Sequence, residues 1–301
     1  MVQQIFIDGK YVSAKSEKNL EIRNPSTLEL IDSVSNCGEA DVNDAVMAAR
    51  RAQKEWWRIS GVEKSVMMHE IARRLRENER EISVLLTKET GKPLIESVDC
   101  IDWVAACFDY YAEVGRASRG VSLPPVAAHQ VNFTVKEPYG VVACIAPFNF
   151  PLLLMAWKVA PALVAGNTVV CKPPHQNPLS SLLMAKVFDN LPSGVVNFIT
   201  GDGPLTGELL INHPEVDVIA FTGSTNVGRH VAQTAGRYLK KINLELGGID
   251  PLLVFEDADL DVAVRGAAWA RLLNAGQVCT SAKRIYVVEK IAEEFEKRIA
   301  D

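Results

Sequence analysis

The second half of the chain alternates short apolar runs with helical periodicity. The runs "VVACIA", "TVVCK", "VVNFIT" and "VIAFTG" have the composition of buried strands, and "KINLELGG" can form another. Helical patterns lie between them at residues 152–163, 178–188, 204–211 and 227–235. Continuously apolar strands that alternate with helices predict an α/β fold, in which a parallel sheet is covered on both faces.

The first half is mainly helical. It opens with "QQIFIDGKYVSA", in which an Asp8–Gly9 turn between two β-prone runs predicts a hairpin. Helices are expected at 41–57, where Asp41 could form the N-cap, and at 64–75, 78–90 and 97–117. Residues 119–139 then form two extended segments around "PPVAAHQ", which indicates a protruding hairpin or an oligomerisation segment.

The most apolar stretch, residues 141–171, is predicted to be core and not a membrane span. Three prolines (Pro147, Pro151 and Pro161) interrupt it, and Lys158 lies in its middle. Its uninterrupted pieces are far shorter than the roughly 20 residues that a spanning helix needs.

Composition narrows the class of protein. A chain of 301 residues with 48% hydrophobic content can fill one large or two ordinary domains. The net charge of -5 is spread along the chain, which gives little support to nucleic-acid binding. The start has no secretion signal, and the six cysteines are scattered without metal-ligand spacing. We therefore expect a cytoplasmic protein with no metal site and no disulfide framework.

Ligands of parallel α/β sheets bind at the carboxyl ends of the strands. Here the first, second and fourth apolar runs are followed by "IAPFNFP", "CKPPHQNP" and "FTGSTNVG". In the last, Gly223 and Gly228 flank Ser224 and Thr225, either of which could cap a helix whose N–H groups face an anion. The spacing is GxxxxG, so an ordinary capped helix is the alternative.

Three further residues could carry chemistry. Cys279 in "NAGQVCTS" is either a nucleophile or a buried thiol. Glu245 in "LELGG" is either a general base or an exposed carboxylate of an alternating strand. Asn149 in "PFNFP" could donate to an oxyanion, or it could simply form a turn.

Taken together, these blocks resemble the aldehyde dehydrogenase superfamily, in its NAD(P)-dependent, hydrolytic type. The resemblance runs from "FIDGKYV" to the last residue and corresponds to the amino-terminal portion of such an enzyme. It implies a Rossmann-like, doubly wound parallel sheet in an NAD(P)-binding domain at residues 1–249. Residues 250–301 would begin a second α/β domain, the catalytic one, which carries the nucleophile.

The resemblance also implies roles. The Cys279 thiolate would attack the aldehyde, while the Asn149 amide and the Cys279 N–H hold the oxyanion of the thiohemiacetal. Hydride would pass to the nicotinamide, and Glu245 would activate the water that hydrolyses the thioester, with Lys158 nearby in a proton relay. By the same resemblance, the cofactor-binding residues would be Ile145, Pro147, Phe148, Lys172, His175, Gly223, Ser224, Thr225, Gly228, Leu246 and Gly247.

The sequence departs from the family pattern in two places. NAD-preferring relatives commonly have a glutamate three residues after the lysine of the second strand, where this chain has His175 after Lys172. Without that carboxylate we expect use of NADP, or of both dinucleotides, over strict NAD. The "ExFGP" block is also absent, so we expect part of a longer enzyme or a short form, and activity of these residues alone is doubtful.

Two alternatives follow from these departures. A CoA-acylating relative would release the acyl group to a thiol, although Glu245 argues against that branch. A non-catalytic relative would bind only a dinucleotide or a partner subunit. Under the leading hypothesis the ligands are a small aldehyde and NAD(P), and a full-length relative would form a homo-oligomer.

Overall fold

A computed structural model of the chain describes residues 2–117 and 120–300. Arg119, with which the predicted hairpin segment begins, and Asp301 therefore lie outside the described residues. The chain divides into two compact units, Met1–Glu245 and Leu246–Asp301. The sequence-based boundary was expected after residue 249, and the functions assigned to the two parts stay predictions.

The first unit is built on a seven-stranded, mostly parallel sheet. The strands of the whole unit, of which seven form this sheet, are β1 (Val2–Gln3), β2 (Ile5–Ile7), β3 (Lys10–Val12), β4 (Asn19–Arg23), β5 (Leu30–Ser35), β6 (Ser122–Leu123), β7 (Asn132–Phe133), β8 (Val141–Ile145), β9 (Thr168–Lys172), β10 (Val196–Phe198), β11 (Val218–Thr222) and β12 (Lys241–Glu245). The order in the sheet is β12-β11-β8-β9-β10-β2-β3, and the first five are mutually parallel. The predicted α/β fold with its parallel sheet is confirmed.

Helices precede the sheet in the chain and connect its strands. They are α1 (Glu39–Arg58), α2 (Gly61–Glu77), α3 (Glu79–Thr90), α4 (Leu94–Ala117), α5 (Pro151–Val164), α6 (Leu179–Met184), α7 (Glu208–Asn212) and α8 (Thr225–Arg237), with a 3₁₀ turn at Ala185–Phe188 and a π turn at Gly203–Gly207. All predicted helices form, with ends that differ by a few residues. The expectation that Asp41 caps α1 is wrong, because Gly38 is the N-cap. Asp41 lies one turn inside, where its carboxylate accepts the backbone N–H of Gly38 at 3.1 Å and of Lys15 at 2.6 Å.

Both predicted hairpins are present. Asp8 (φ 55°) and Gly9 (φ 75°) adopt the left-handed conformations that a two-residue turn between twisted strands requires, and they join β2 to β3. Strands β6 and β7 pair in antiparallel orientation within the predicted segment 119–139. A third, three-stranded sheet has the order β1-β5-β4.

The apolar stretch predicted to be core is core. All residues of β8 and β9 are buried, as are eleven residues of α5, including Lys158. Burial of strands on both faces explains why their sequences are continuously apolar. Within residues 2–117 and 120–300, no helix combines the length and the apolar character that crossing a membrane would require.

The second unit is a small βαβ arrangement. Strand β13 (Asp250–Val254) runs parallel to β14 (Ala282–Val287), and helix α9 (Leu260–Leu272) connects them, followed by a 3₁₀ turn at Leu273–Gly276. Helix α10 (Glu289–Ala300) comes last. The buried core of this unit consists of Val254, Ala267 and Phe295.

Candidate active site

Four neighbouring strands of the first unit end in the blocks predicted to be functional. Asn149 lies in the turn after β8, Lys172 is the last residue of β9, Ser224 follows β11, and Glu245 is the last residue of β12. These strands are adjacent and parallel, in the order β12-β11-β8-β9. Their carboxyl ends therefore meet at one edge of the sheet, where ligands of such folds bind.

The turn that carries Asn149 leads directly into helix α5. Phe150 occupies the N-cap position without a capping side-chain bond, and Pro151 is the first helical residue, where its missing N–H costs nothing. Asn149 is half-buried, and Phe148 keeps 45% of its surface exposed. This geometry puts Asn149 beside the positive end of the α5 dipole.

Lys158 and Glu245 approach each other at the same edge. The Lys158 ammonium is buried, and its Nζ lies 2.5 Å from Oγ1 of Thr222 and 3.2 Å from the carbonyl oxygen of Leu154. Thr222 is in turn the register partner of Glu245 across β11 and β12.

The electrostatics of Lys158 reflect this neighbourhood. Burial lowers the pKa of the Lys158 ammonium, whereas the charges of Cys144 and Glu245 act in the opposite direction. Glu245 itself is exposed to solvent. The buried amine of Lys158, the hydroxyl of Thr222 and the accessible carboxylate of Glu245 are thus neighbours in space. Such an arrangement can transfer a proton.

A cavity of about 580 Å³ opens beside this edge in the first unit. Its walls come from the ends of β8, β9 and β11, from the π turn, and from helices α7 and α8. The lining residues are Ile145, Lys172, Gly203, Pro204, Gly207, Glu208, Ile211, Phe221, Asn226, Val227, His230 and Val231. A largely apolar cleft with a few polar groups suits a nucleotide base and its ribose.

Lys172 is the buried cation of this cavity. Burial lowers its pKa from 10.5 to about 8, and the charges of Asp202 and Cys37 partly offset that effect. Its Nζ donates to the carbonyl oxygen of Pro173 at 3.2 Å. His175 is exposed, and burial of part of its ring together with the charge of Lys172 lowers its pKa.

Helix α8 begins at the cavity with a side-chain cap. Of the two predicted capping residues, Ser224 is the N-cap, and its hydroxyl accepts the backbone N–H of Val227 at 3.3 Å. Thr225 is instead the first helical residue. Gly223 is required by packing, because a Cβ there would lie 2.5 Å from Cζ of Phe221. Gly228 is buried within the first turn of the helix.

Cys279 lies in the second unit, after an unusual turn. Asn274 (φ 52°), Ala275 (φ 57°) and Gly276 (φ 75°) are three consecutive left-handed residues, and the first two pay a steric cost for this conformation. Ser281 N–H donates to the carbonyl oxygen of Val278 at 3.2 Å and closes a turn around the cysteine. The Cys279 thiol is free and half-buried, and strained turns of this kind cluster at functional sites.

The glycines of "LELGG" approach the cysteine within this unit. A Cβ on Gly248 would lie 3.7 Å from the carbonyl oxygen of Cys279, and Nζ of Lys283 donates to the Gly248 carbonyl at 2.6 Å. Leu246 is half-buried and Gly247 is exposed. Gly248 and Cys279, which are 31 residues apart in the chain, therefore lie close together within the second unit.

Comparison with known proteins decides the family. The model of the aldehyde dehydrogenase family matches residues 11–301. The chain belongs to the aldehyde dehydrogenase family. It is 40% identical to betaine aldehyde dehydrogenase 1 of Oryza sativa subsp. japonica over 305 residues, which cover 98% of this chain and 60% of that protein.

Solved structures of similar proteins share the fold. An NADP dependent enzyme of E. coli superposes with a TM-score of 0.97 at 35% identity, over 99% of this chain and 63% of that one. The NAD+ complex of an aldehyde dehydrogenase from Bacillus cereus gives 0.96 at 36% identity, over 99% and 62%. The chain thus spans about three fifths of the length of these relatives, and its Rossmann-like fold is that of the family.

Within this chain, the predicted residues fall into two groups. The structure brings Asn149, Lys158 and Glu245 to one edge of the sheet in the first unit, whereas Cys279 lies in the second. Among the predicted cofactor residues, Ile145 and Lys172 line the cavity; Pro147 and Phe148 lie in the Asn149 turn, and Leu246 and Gly247 belong to the second unit. Their roles stay predictions.

Several residues of the site escaped the sequence reasoning. Thr222 and Phe221 belong to the block "FTGSTNVGRHV", but nothing in their spacing marks one as a lysine partner and the other as a cavity wall. His230, whose Nε2 lies 2.6 Å from Oε1 of Glu208, belongs to the same block, one helical turn after Asn226. Helical spacing from Val227 could have indicated that His230 shares its face.

Proposed function

We propose that this chain is part of an enzyme that oxidises an aldehyde to a carboxylic acid with NAD(P)+, through a thiohemiacetal and a thioester on Cys279. Residues 1–249 would form the NAD(P)-binding domain, and residues 250–301 would begin the catalytic domain. The observation that carries the proposal is the approach of Glu245 to the buried Lys158 at the carboxyl edge of the sheet. A family member with that base and a free thiol in a strained turn has the two groups that oxidation and hydrolysis require.

Cys279 would act first. Its thiolate adds to the aldehyde carbon, a C–S bond forms, and the carbonyl electron pair moves to oxygen. The amide of Asn149 and the backbone N–H of Cys279 would donate to this oxyanion. Asn149 is suited to the task because the N-terminal dipole of α5 adds a positive potential beside it.

The dinucleotide would occupy the cavity of about 580 Å³, with Lys172 and the capped start of α8 toward its phosphates. The volume and the buried cation fit such a group. When bound, the oxidised nicotinamide supplies the acceptor for the hydride that leaves the substrate carbon.

Glu245 would complete the reaction. With the substrate held as a thioester on Cys279, the Glu245 carboxylate takes a proton from water, whose oxygen attacks the acyl carbon. The C–S bond then breaks, the acid leaves and the thiolate is restored. Lys158 would take part in the relay of the proton from Glu245 in its neutral amine form, which burial favours and which has the lone pair to accept a proton; Thr222 contacts its Nζ at 2.5 Å.

We also propose that the cofactor is NADP+, or either dinucleotide, over strict NAD+. Lys172 supplies a cation, and His175 stands where NAD-preferring relatives have a carboxylate. The charge of Asp202 acts on the same lysine and weakens the preference, which favours dual use. Relatives of both kinds exist among the matching structures, one described as NADP dependent and another bound to NAD+.

The remaining proposals concern partners and location. The ribbon of β6 and β7 exposes several apolar side chains, which supports its use in pairing with a second copy; they are Val121, Leu123, Val126, Val131, Phe133 and Val135. Light scattering would test this by giving a molar mass above that of one chain. Six free cysteines suit the reducing cytoplasm.

The testing experiment is a single-turnover assay at high enzyme concentration. The chain is mixed with NAD+ or NADP+ and a panel of aldehydes that includes betaine aldehyde, for which a relative is named. Reduced cofactor is followed by absorbance, and Cys279→Ser is the blank, because a hydroxyl is a far weaker nucleophile at neutral pH.

We expect a burst that depends on Cys279 and a free carboxylic acid as product. A product that forms only after addition of coenzyme A would favour the acylating alternative. Dinucleotide binding without any burst would instead support a non-catalytic binding protein and overturn the proposed reaction for this chain.

A further inference from the structure

Lys92 is a charged residue in an unexpected place. It follows Gly91, whose left-handed conformation (φ 77°) ends α3, and it enters the protein before α4 begins. Only 4% of its surface is exposed. Lysines are almost never buried to this degree unless a partner compensates for the lost hydration.

The partner is the turn that carries Asn149. Nζ of Lys92 donates to the backbone carbonyl of Asn149 at 2.9 Å and lies 4.2 Å from the centre of the Phe150 ring. Both contacts stabilise an ammonium, one by a charge-assisted hydrogen bond and the other by a cation–π interaction. Burial lowers the pKa of Lys92, and the charges of Cys100 and Glu96 raise it.

A second buried side chain binds the preceding carbonyl. Nδ2 of Asn177, from the segment between β9 and α6, donates to the carbonyl oxygen of Phe148 at 2.8 Å, and only 3% of Asn177 is exposed. Consecutive carbonyls of one turn are thus bound from two separate segments. A turn has no ladder of backbone bonds of its own, so bonds from these two side chains help to hold it in place.

We propose that Lys92 is a positioning residue, which with Asn177 fixes the Asn149 turn so that the Asn149 amide can meet the oxyanion. The inference rests on the proposed function, since it assigns Asn149 the role given there. It is reasonable energetically because a donor to an oxyanion stabilises it only at hydrogen-bond distance, and a displacement of about 1 Å can reduce a rate roughly 100-fold.

The test compares Lys92→Met with Lys88→Met. Methionine keeps most of the length and volume of lysine and removes the charge, and Lys88 is an exposed lysine one turn earlier on α3. In the single-turnover assay we expect Lys92→Met to lower the burst rate roughly 10- to 100-fold. The dissociation constant for the dinucleotide, measured by titration, should change less than about twofold, and Lys88→Met should change neither quantity.

A double-substitution cycle separates positioning from general stability. If Lys92 acts through Asn149, Lys92→Met should change the residual rate of Asn149→Ala by less than about twofold. An equal loss in both backgrounds would overturn the inference. Should Lys92→Met fail to fold, Asn177→Ala removes the other bond to the turn and is expected to give the same non-additive loss.

Hydrogen–deuterium exchange of residues 146–154 gives a readout that needs no activity. We expect exchange of this segment to quicken about tenfold in Lys92→Met, because a hydrogen bond to a charged group is lost. If the unsubstituted chain shows no burst, the proposed function fails, and the inference is judged on exchange alone. Equal exchange in Lys92→Met and Lys88→Met would then overturn it.

Discussion

Replacing Lys172 by methionine should stabilise the fold at neutral pH and weaken the binding of NADP+. Lys172 is only 4% exposed, and its ammonium donates to the carbonyl oxygen of Pro173 at 3.2 Å. A buried ammonium with one neutral acceptor destabilises the folded protein, whereas the same ammonium can stabilise a bound anionic ligand.

The pKa gives the magnitude. The folded protein lowers the pKa of Lys172 from 10.5 to about 8. At about 1.4 kcal/mol for each pH unit, the charged lysine lowers the free energy of unfolding by about 3.5 kcal/mol well below pH 8. Between pH 8 and 10.5 the unfolded chain binds more protons than the folded one, so this penalty disappears as the pH rises. The freed carbonyl of Pro173 offsets part of the gain, by about 1 kcal/mol.

The assay is urea unfolding followed by tryptophan fluorescence at several pH values between 7 and 10.5. The free energy of unfolding of Lys172→Met should exceed that of the unsubstituted protein by roughly 1–3 kcal/mol at pH 7. Near pH 10.5 it should fall about 1 kcal/mol below it, because only the loss of the bond to the Pro173 carbonyl then remains. Exposed Lys88→Met is the control and should stay within about 0.5 kcal/mol throughout. A Lys172→Met protein that is less stable at pH 7, by an amount independent of pH, would refute the reasoning.

Two further substitutions test the same edge of the sheet. Thr222→Val keeps the shape of the side chain and removes the hydroxyl that Lys158 contacts, so the free energy of unfolding should fall by roughly 1.5–3 kcal/mol in urea titrations. Thr222→Ser keeps the hydroxyl, and an equal loss in both variants would contradict the assigned bond. Gly223→Ala places a Cβ against the Phe221 ring and should cost roughly 1–3 kcal/mol in the same measurement. Gly236 on α8 has open space around it, so Gly236→Ala should instead raise the free energy of unfolding by about 0.5–1 kcal/mol. If both glycine substitutions change the free energy of unfolding in the same direction, packing against Phe221 is not the cause.

Much of the fold could be predicted because local pattern and tertiary environment agree. The four strands from β8 to β11 were evident as apolar runs, since strands buried on both faces have no polar side. The cap of α1 could not be predicted in this way. Asp41 has a side chain typical of an N-cap, but its carboxylate accepts backbone N–H groups from residues that precede the helix, and Gly38 is the N-cap residue.

The candidate site divides along similar lines. Asn149, Lys172, Ser224 and Glu245 were recognisable because each follows or ends a strand, and the carboxyl ends of parallel strands meet at one edge. Asn177 was not recognisable, because an asparagine before a proline is typical of any turn.

The sequence by itself determined the alternation of strands and helices between residues 141 and 245, the parallel sheet and the residue types available for chemistry. Only the tertiary structure decided which of them meet. Lys92 contacts a carbonyl 57 residues away and Lys158 a hydroxyl 64 residues away. The lowered pKa of Lys172 likewise depends on burial beneath segments that are distant in the chain. The hydrophobic pattern of a segment indicates only whether each face of that helix or strand is buried. Contacts between side chains and their pKa values depend on how separate helices and strands pack together.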